Sequence, residues 1–282
     1  VFDKSQSNKP SIVTDGDMNY VVFNQNADNN EHLYTNEVGS FLNGHKKFAI
    51  FVVQKLDSLA DTDIDTMAIH MTQEILIENN SHQGTGYRFL NWTSGSQVEG
   101  EEVRINKDAD LNKHIVSNIR DASDANNPIF KILVDGASQT NAYEYSNYTG
   151  AMSNSSEITL GALESTRSSS RNLRGRIGEI IVLASDDLTD SDYHHIHSYL
   201  AKKWGLSSTV DSDDDGVVDA SDLAPLDPTV HADLTVDMTG KPSILSDASL
   251  KLWLDASHSN SVIKDGSNNV SHWLDLSGNG NY

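Results

Sequence analysis

Phe48-Ala49-Ile50-Phe51-Val52-Val53 is an unbroken apolar run in a chain that is otherwise rich in Asn, Asp and Ser. Phe130-Lys131-Ile132-Leu133-Val134 and Tyr20-Val21-Val22-Phe23 have the same character, and polar, turn-forming residues separate the three runs. Short apolar and aromatic runs between turn signals are typical of β-strands. Most of residues 10–183 shows this pattern, so the sequence predicts an all-β domain.

Two local patterns add to this prediction. The segment Glu74-Ile75-Leu76-Ile77-Glu78 alternates with a period of two, which places one face of a strand on a core and the other in water. Val134-Asp135-Gly136 is a tight-turn signal between two strands.

Composition narrows the class of protein. The 282 residues include 41 acidic and 20 basic side chains, a formal net charge of -21, which disfavours binding to nucleic-acid phosphates or anionic lipid. This balance suits a protein that binds divalent cations or lives in salty water, and solubility alone is the other explanation. The chain lacks cysteine, which excludes disulfides, catalytic thiols and thiolate metal sites. No apolar run approaches the roughly 18 residues of a membrane span, so we expect a secreted, extracellular or cell-surface protein without membrane insertion.

A short helix is predicted near residue 200. Thr189 or Ser191 is its expected N-cap, and Gly205 its expected end. The apolar residues that recur at helical spacing are Tyr193, Ile196, Tyr199 and Leu200.

The strongest chemical motif lies between residues 211 and 222. Carboxylates fall at its first, third, fifth, ninth and twelfth positions, Gly216 allows a sharp turn, and the seventh residue offers a carbonyl oxygen. This is the spacing with which a loop wraps oxygen ligands around Ca²⁺. A solvated acidic linker is the alternative, although carboxylates this close repel one another without a cation. The predicted metal ligands are Asp211, Asp213, Asp215, Val217, Asp219 and Asp222.

The loop has Asp at its twelfth position, where an EF-hand has Glu, and no long flanking helices are evident. It therefore resembles a thrombospondin type 3 or dockerin-like calcium repeat. Leu223-Ala224-Pro225-Leu226-Asp227-Pro228 adds to that resemblance.

Three stretches together resemble the bacterial concanavalin A-like, or laminin-G-like, jelly-roll domains. This resemblance implies a two-sheet sandwich with a short C-terminal helix. The stretches are Leu252–Ala256 with Trp273–Asn281, Lys9–Val13 with Tyr20–Phe23, and Gly175–Val182 with Tyr199–Gly205.

The order of these stretches differs from that of the family, because the opening segment of the family lies at residues 246–282 of this chain. We therefore expect residues 1–206 to form a jelly-roll body that lacks its opening strands. Residues 207–245 form an acidic calcium-binding linker, and residues 246–282 supply opening strands. Those strands either complete a neighbouring copy, as donor strands in a filament or a tandem repeat, or fold back on their own body.

The predicted function is a structural or adhesive extracellular module that assembles head to tail with copies of itself and is made rigid by calcium. The alternative is a lectin-like adhesin that binds carbohydrate through loops at one edge of the jelly roll. A glycanase is disfavoured, because Leu76 stands between Glu74 and Glu78 where related glucanases carry a third carboxylate. His194 and His197 share a helix face but lack a third ligand, so we expect surface histidines and no enzyme activity.

Overall fold

The computed structural model describes residues 10–23, 25–26, 29–35, 42–59, 66–71, 75–79, 86–92, 100–146, 150–152, 158–162, 173–222, 224–230, 262–264 and 270–273. The chain divides into two compact units, Val1–Tyr193 and His194–Tyr282. No helix within the described ranges combines the length and the apolar character that crossing a bilayer requires.

The structure contains eighteen strands and one long helix within these ranges. In chain order they are β1 (Ser11–Asp15), β2 (Met18–Phe23), β3 (Gln25–Asn26), β4 (Asn29–Asn30), β5 (Leu33–Thr35), β6 (Lys47–Leu56), β7 (Thr66–Met71), β8 (Ile75–Asn79), β9 (Gly86–Trp92), β10 (Gly100–Asp108), β11 (Lys113–Asp121), β12 (Ile129–Val134), β13 (Ala137–Ser138), β14 (Asn141–Ser146), β15 (Ile158–Leu160), β16 (Gly175–Ala184), α1 (Asp190–Trp204), β17 (Val262–Lys264) and β18 (Val270–Trp273).

Two seven-stranded antiparallel sheets make up the first unit. The first sheet has the order β1-β2-β16-β6-β11-β12-β13, and the second has the order β14-β10-β9-β8-β7-β15-β5. The two sheets confirm the predicted all-β jelly-roll sandwich. In the second unit β17 and β18 pair with each other as a two-stranded sheet.

The core lies between the sheets and joins their inner faces. Phe89 of the second sheet stacks on Phe130 of the first, with ring centroids 4.2 Å apart, and meets Phe48 edge-on at 6.1 Å. Strand β6 is central and buried on both faces, which explains why its sequence is continuously apolar instead of alternating. On its outer face, the ring of Phe51 packs against Tyr193 in the first turn of α1.

A buried ion pair crosses the core. The Nε atom of Arg120 in β11 donates to Glu101 Oε2 in β10 at 2.6 Å, and both side chains are fully buried. The same guanidinium donates to the carbonyl oxygens of Lys46 and Gly150, at 2.8 and 2.9 Å. Arg120 therefore ties both sheets and two loops to one buried cation.

His114 contacts two carboxylates near the start of β11. Its Nδ1 atom lies 2.6 Å from Asp135 Oδ2, and its Nε2 atom lies 3.0 Å from Asp110 Oδ1. Burial lowers the pKa of His114, but the hydrogen bonds and charges of Asp135 and Asp110 outweigh it and raise the pKa above its usual value. Asp135 and Gly136 form the predicted tight turn, with φ values of 56° and 81°.

Helix α1 begins and ends as its sequence predicts. Thr189 and Asp192 form a capping arrangement, in which the Thr189 backbone N–H and hydroxyl donate to Asp192 Oδ2 at 2.8 and 2.7 Å. At the other end Gly205 takes a left-handed φ of 64°, and the N–H of Leu206 donates to the carbonyl of Ala201 at 2.8 Å. This is a Schellman cap, which closes the helix and directs the chain into the acidic segment.

The expectations for the tail stay predictions. Residues 252–255 lie outside the described residues, and the tail strands that are described pair with each other. The division of the chain into residues 1–206, 207–245 and 246–282 likewise stays a prediction.

The buried pair gives a first test of the sandwich. Glu101→Gln keeps the shape but leaves the Arg120 charge uncompensated, and breaking a buried pair costs about 3–5 kcal/mol. We expect the free energy of unfolding in urea, followed by circular dichroism, to fall by about that amount. The control is Asp57→Asn, which removes the carboxylate that Arg176 contacts at the surface and is expected to cost less than about 1 kcal/mol. Equal losses in the two variants would contradict this role for Arg120.

The His114 contact gives a test by pH. A histidine whose folded pKa lies above about 6.5 stabilises the fold fully below that pH, and this contribution is lost as pH rises through the folded pKa. We expect the urea midpoint of the native chain to fall between pH 6 and pH 9, and His114→Gln to make this fall smaller. His45→Gln, at a more exposed histidine 3.9 Å from Asp186, is the control that keeps it. An unchanged pH profile in His114→Gln would show that the contact does not set the dependence.

Candidate metal centre

The acidic loop follows the end of α1 within the second unit. Leu206 begins it, since the N–H groups of Thr209 and Val210 both donate to the Leu206 carbonyl at 2.9 Å. The N–H of Ala220 then donates to Ser207 O at 2.8 Å, which brings the two ends of the loop together. The segment from residue 206 to residue 222 is therefore a closed turn.

Asp211 organises the first half of this turn. Its Oδ1 accepts from the N–H of Asp215 at 3.2 Å, and its Oδ2 accepts from the N–H of Gly216 at 2.8 Å. The turn needs left-handed backbone at Asp214 and Gly216, with φ values of 62° and 99°. Glycine adopts this region without steric cost, and Asp tolerates it better than most residues.

Asp219 closes the second half. Its Oδ1 accepts from the N–H of Ser212 at 2.9 Å, and its Oδ2 accepts from the Ser212 hydroxyl at 2.8 Å. Its own N–H donates to Val210 O at 2.7 Å. Burial raises the pKa of Asp219, and the Ser212 hydrogen bonds and the charge of Lys202 oppose that shift. Both oxygens of this carboxylate therefore hold the loop in shape.

Three carboxylates converge inside the turn. Asp211, Asp213 and Asp215 each place one oxygen within 4.8 Å of the others. Asp213 is only 3% exposed, and neither of its oxygens accepts a hydrogen bond. The backbone N–H of Asp215 is close enough to Asp213 to lower its pKa, but it donates its hydrogen bond to Asp211 Oδ1. Asp222 is also buried, and its Oδ2 accepts no hydrogen bond.

The electrostatics of the cluster are unfavourable for bare carboxylates. Burial raises the pKa of Asp213 to about 7, and the charges of Asp215, Asp222 and Asp211 add to the shift. Burial raises the pKa of Asp222 to about 6, opposed by the N–H of Ala224 and assisted by the charges of Asp215, Asp219 and Asp211. The loop therefore favours uptake of positive charge.

The arrangement fits a hard divalent cation. Ca²⁺ takes oxygen ligands at about 2.3–2.6 Å, so two oxygens that share one ion lie no more than about 5 Å apart. The three converging carboxylates meet this condition, and the donor set contains only oxygen. Buried oxygens that lack hydrogen-bond donors are the atoms that an ion would satisfy.

The structure separates the predicted ligands into groups. It brings Asp211, Asp213 and Asp215 together, with Asp222 close enough to raise the Asp213 pKa. The N–H of Val217 donates to Asp215 Oδ1 at 2.8 Å. Asp219 faces Ser212, a contact that the sequence analysis did not anticipate. A serine directly after the first carboxylate was the available signal, but serine is too common in this chain for that signal to be specific.

The other candidates of the sequence form no such centre among the described residues. Glu74 lies outside them, and Glu78 of β8 lies opposite Arg88 of β9 in the second sheet. Leu76 lies opposite Leu90. The expected surface position is wrong for His197, which is fully buried in α1, and His194 is half-buried. Neither belongs to a group of three ligating side chains within the described ranges.

Comparison with known proteins gives a likeness in structure only. No protein-family model matches the chain, and no curated protein is significantly similar to it. Three solved structures illustrate the likeness. Botulinum neurotoxin type C is 13% identical with a TM-score of 0.41, covering 67% of this chain and 42% of its own. Domains LG4-5 of the mouse laminin α1 chain are 14% identical with a TM-score of 0.39, covering 63% and 47%. A putative carbohydrate binding protein from Bacteroides ovatus is 14% identical with a TM-score of 0.39, covering 55% and 42%.

This chain therefore spans less than half the length of each of these structures. Identities of this size concern the fold, so function is argued from the residues themselves.

Proposed function

We propose that this chain is a non-catalytic structural or adhesive module of the extracellular space, in which a β-sandwich is followed by a connector that Ca²⁺ makes rigid. The observation that carries this proposal is the buried Asp213, whose two oxygens accept no hydrogen bond inside a cluster of carboxylates. A carboxylate in that position needs either a proton or a cation.

The rest of the molecule supports a cation. Glu101 and Asp135 are buried carboxylates like Asp213, and each has a basic side chain as its partner, Arg120 and His114 respectively. Asp213 and Asp222 have no such side chain within ion-pair distance in the described part of the chain. The loop thus departs from the way in which this protein otherwise buries negative charge. A divalent ion would supply the positive charge that these buried carboxylates lack. Its ligands would be Asp211, Asp213, Asp215 and Asp222, with the Val217 carbonyl.

The consequence of binding is mechanical. Asp211 and Asp219 fix the backbone of the turn through hydrogen bonds to the N–H groups of residues 212, 215 and 216. Cation binding would add the missing attraction between the acidic side chains, so that the turn stays closed on the C-terminal cap of α1. Asp219 acts as a positioning residue in this arrangement.

Calcium titration of the full chain by calorimetry tests the proposal. We expect saturable binding of Ca²⁺ and, for Asp213→Asn, a loss of affinity of about tenfold or more, since a charged oxygen ligand is replaced by a neutral amide. Asp214→Asn is the matched control, because Asp214 is the exposed next residue and Asn tolerates its left-handed backbone. We expect its affinity to stay within about twofold.

A titration in which the native chain takes up no Ca²⁺ would refute the proposal. Equal losses of Ca²⁺ affinity in Asp213→Asn and Asp214→Asn would show that the overall negative charge of the loop, and not a specific site at Asp213, attracts the ion. Parallel titration with Mg²⁺ distinguishes a calcium site from a general divalent-ion site.

Assembly by strand sharing is a second candidate, and the edge of the first sheet favours it. Among the described residues, strand β1 is one of the two edge strands of the first sheet. All five of its residues are exposed, and Ile12 is 74% exposed. An exposed apolar edge offers unpaired backbone groups to another chain. The hairpin of β17 and β18 supplies strands that pair only with each other among the described residues. In this proposal, the tail of one copy pairs with the β1 edge of the next copy, and the head-to-tail contact builds a filament.

Light scattering coupled to size-exclusion chromatography tests this assembly. We expect the native chain to form concentration-dependent oligomers and Ile12→Lys to shift them toward monomer, because a lysine on an edge strand opposes pairing. Leu111→Lys is the control, since it places the same charge at an exposed apolar residue between strands. A native chain that stays monomeric at high concentration with Ca²⁺ would exclude strand sharing, as would equal behaviour of the two variants.

A further inference from the structure

Two arginines lie directly opposite each other on the outer face of the second sheet. Arg88 of β9 and Arg104 of β10 are register partners, and like charges in that position destabilise a sheet. One carboxylate bridges them, because Glu102 Oε1 accepts from Arg88 Nε at 2.7 Å and from Arg104 Nε at 2.5 Å. Two guanidinium groups therefore share a single oxygen atom.

The neighbouring strands make the two arginines unequal. On β8, Glu78 lies opposite Arg88, whereas on β14 Tyr143 lies opposite Arg104. The guanidinium carbon of Arg104 lies 5.1 Å from the centroid of the Tyr143 ring, a cation–π contact. Arg104 thus has an aromatic residue as its register partner on the next strand, whereas the corresponding partner of Arg88 is acidic.

The exposed fraction of the side chains increases from Arg88 through Arg104 to Tyr143. The side chains of Arg88 and Arg104 are 9% and 22% exposed, and Tyr143 is 46% exposed. Leu90, beside Glu102 in register, is fully buried. Arg104 therefore lies at the border between a covered and an open part of the sheet. A charge in such a partly desolvated position attracts a ligand more strongly than one in open water.

Arg104 keeps most of its donors available. Among the described residues it donates one hydrogen bond, from Nε to Glu102, which leaves the four N–H groups of its two Nη atoms. These N–H groups form the planar fork that binds a carboxylate or sulfate through two parallel hydrogen bonds. Arg176 of β16 differs in this respect, because its Nε and Nη2 atoms both donate to Asp57 Oδ1.

We propose that Arg104 and Tyr143 form a binding site for a saccharide that carries one acidic group, a carboxylate or a sulfate. The Arg104 fork takes the anion, and the exposed Tyr143 ring beside it packs against the sugar. The net charge of -21 opposes a polyanion, so a glycan with a single charge fits better than a heavily sulfated chain or a nucleic acid. This site goes beyond the proposed calcium role and does not depend on it.

Nuclear magnetic resonance titrations of the ¹⁵N-labelled full chain at low salt test the site. The probes are methyl β-glucuronide, methyl β-galactoside 6-sulfate, the neutral methyl β-glucoside, and sodium acetate. We expect saturable binding of at least one acidic glycoside, with shifts at the Arg104 Nε–H, and much weaker binding of the neutral glycoside and of acetate. A preference for glucuronide or for the sulfated sugar identifies the acidic group.

Variants locate the binding at the two residues. Arg104→Gln is expected to weaken binding of the preferred glycoside by about tenfold or more, because charged hydrogen bonds are lost. Tyr143→Ala leaves the arginines in place and is expected to weaken it several-fold. Arg176→Gln is the matched control, since Arg176 is equally exposed at 21%, lies over the Tyr20 ring and has its fork engaged by Asp57. Its binding should match that of the native chain.

Four results would overturn the proposal: no saturable binding of either acidic glycoside, equal binding of the neutral glycoside, acetate binding as tight as that of the sugar acid, or equal losses in Arg104→Gln and Arg176→Gln. Urea midpoints confirm that each variant is folded. If Arg104→Gln does not fold, Arg104→Lys keeps the charge next to Glu102 and removes the fork. Unchanged affinity in Arg104→Lys would then equally refute recognition by the guanidinium.

Discussion

A carboxylate that leaves water needs a compensating charge or proton, and this constraint governs much of the present structure. The chain has about twice as many acidic as basic side chains, so cations are the scarce component. Arg120 compensates Glu101 in the core, and Asp135 at the turn after β12 contacts His114, whose pKa lies above its usual value. Asp213 and Asp222, in the loop that follows α1, lack an equivalent cationic side chain among the described residues, and that contrast supports the proposed metal ion.

Strand β10 shows how one constraint produces two different outcomes. Glu101 and Glu102 are consecutive, so the pleat sends their side chains to opposite faces of the second sheet. Glu101 meets Arg120 inside the sandwich, where the charges are fully enclosed and the contact joins the two sheets. Glu102 meets Arg88 and Arg104 on the outer face, where two cations share one carboxylate. The inner pair is fully enclosed and therefore structural, whereas Arg104 of the outer group keeps its Nη donors for the proposed ligand.

Hydrogen bonds within the acidic loop hold its backbone in place. Asp211 accepts two backbone N–H groups and Asp219 holds Ser212 through both of its oxygens, so the turn is already shaped by hydrogen bonds. The Schellman cap at Gly205 fixes the point from which the turn starts. Under the proposed function, a bound cation supplies the positive charge that lets Asp213 and its neighbours stay ionised together. Preorganisation of this kind lets an ion bind without a large cost in conformational entropy.

Features that depend on neighbours along the chain could be predicted from the amino-acid sequence. The apolar run of β6, the turn at Asp135, the two ends of α1 and the spacing of the loop carboxylates all follow from local rules, and the structure shows the strand, the turn and the helix ends where those rules place them. The convergence of Asp211, Asp213 and Asp215 belongs to the same group, because all three lie within one turn. Contacts between residues that are distant in the sequence could be known only from the folded chain. The pairs Arg120–Glu101 and Arg88–Arg104 depend on strand register and on the facing of two sheets, which loop lengths and core packing set together. For that reason the sequence predicted the acidic loop and missed the arginine pair on the outer face of the sandwich.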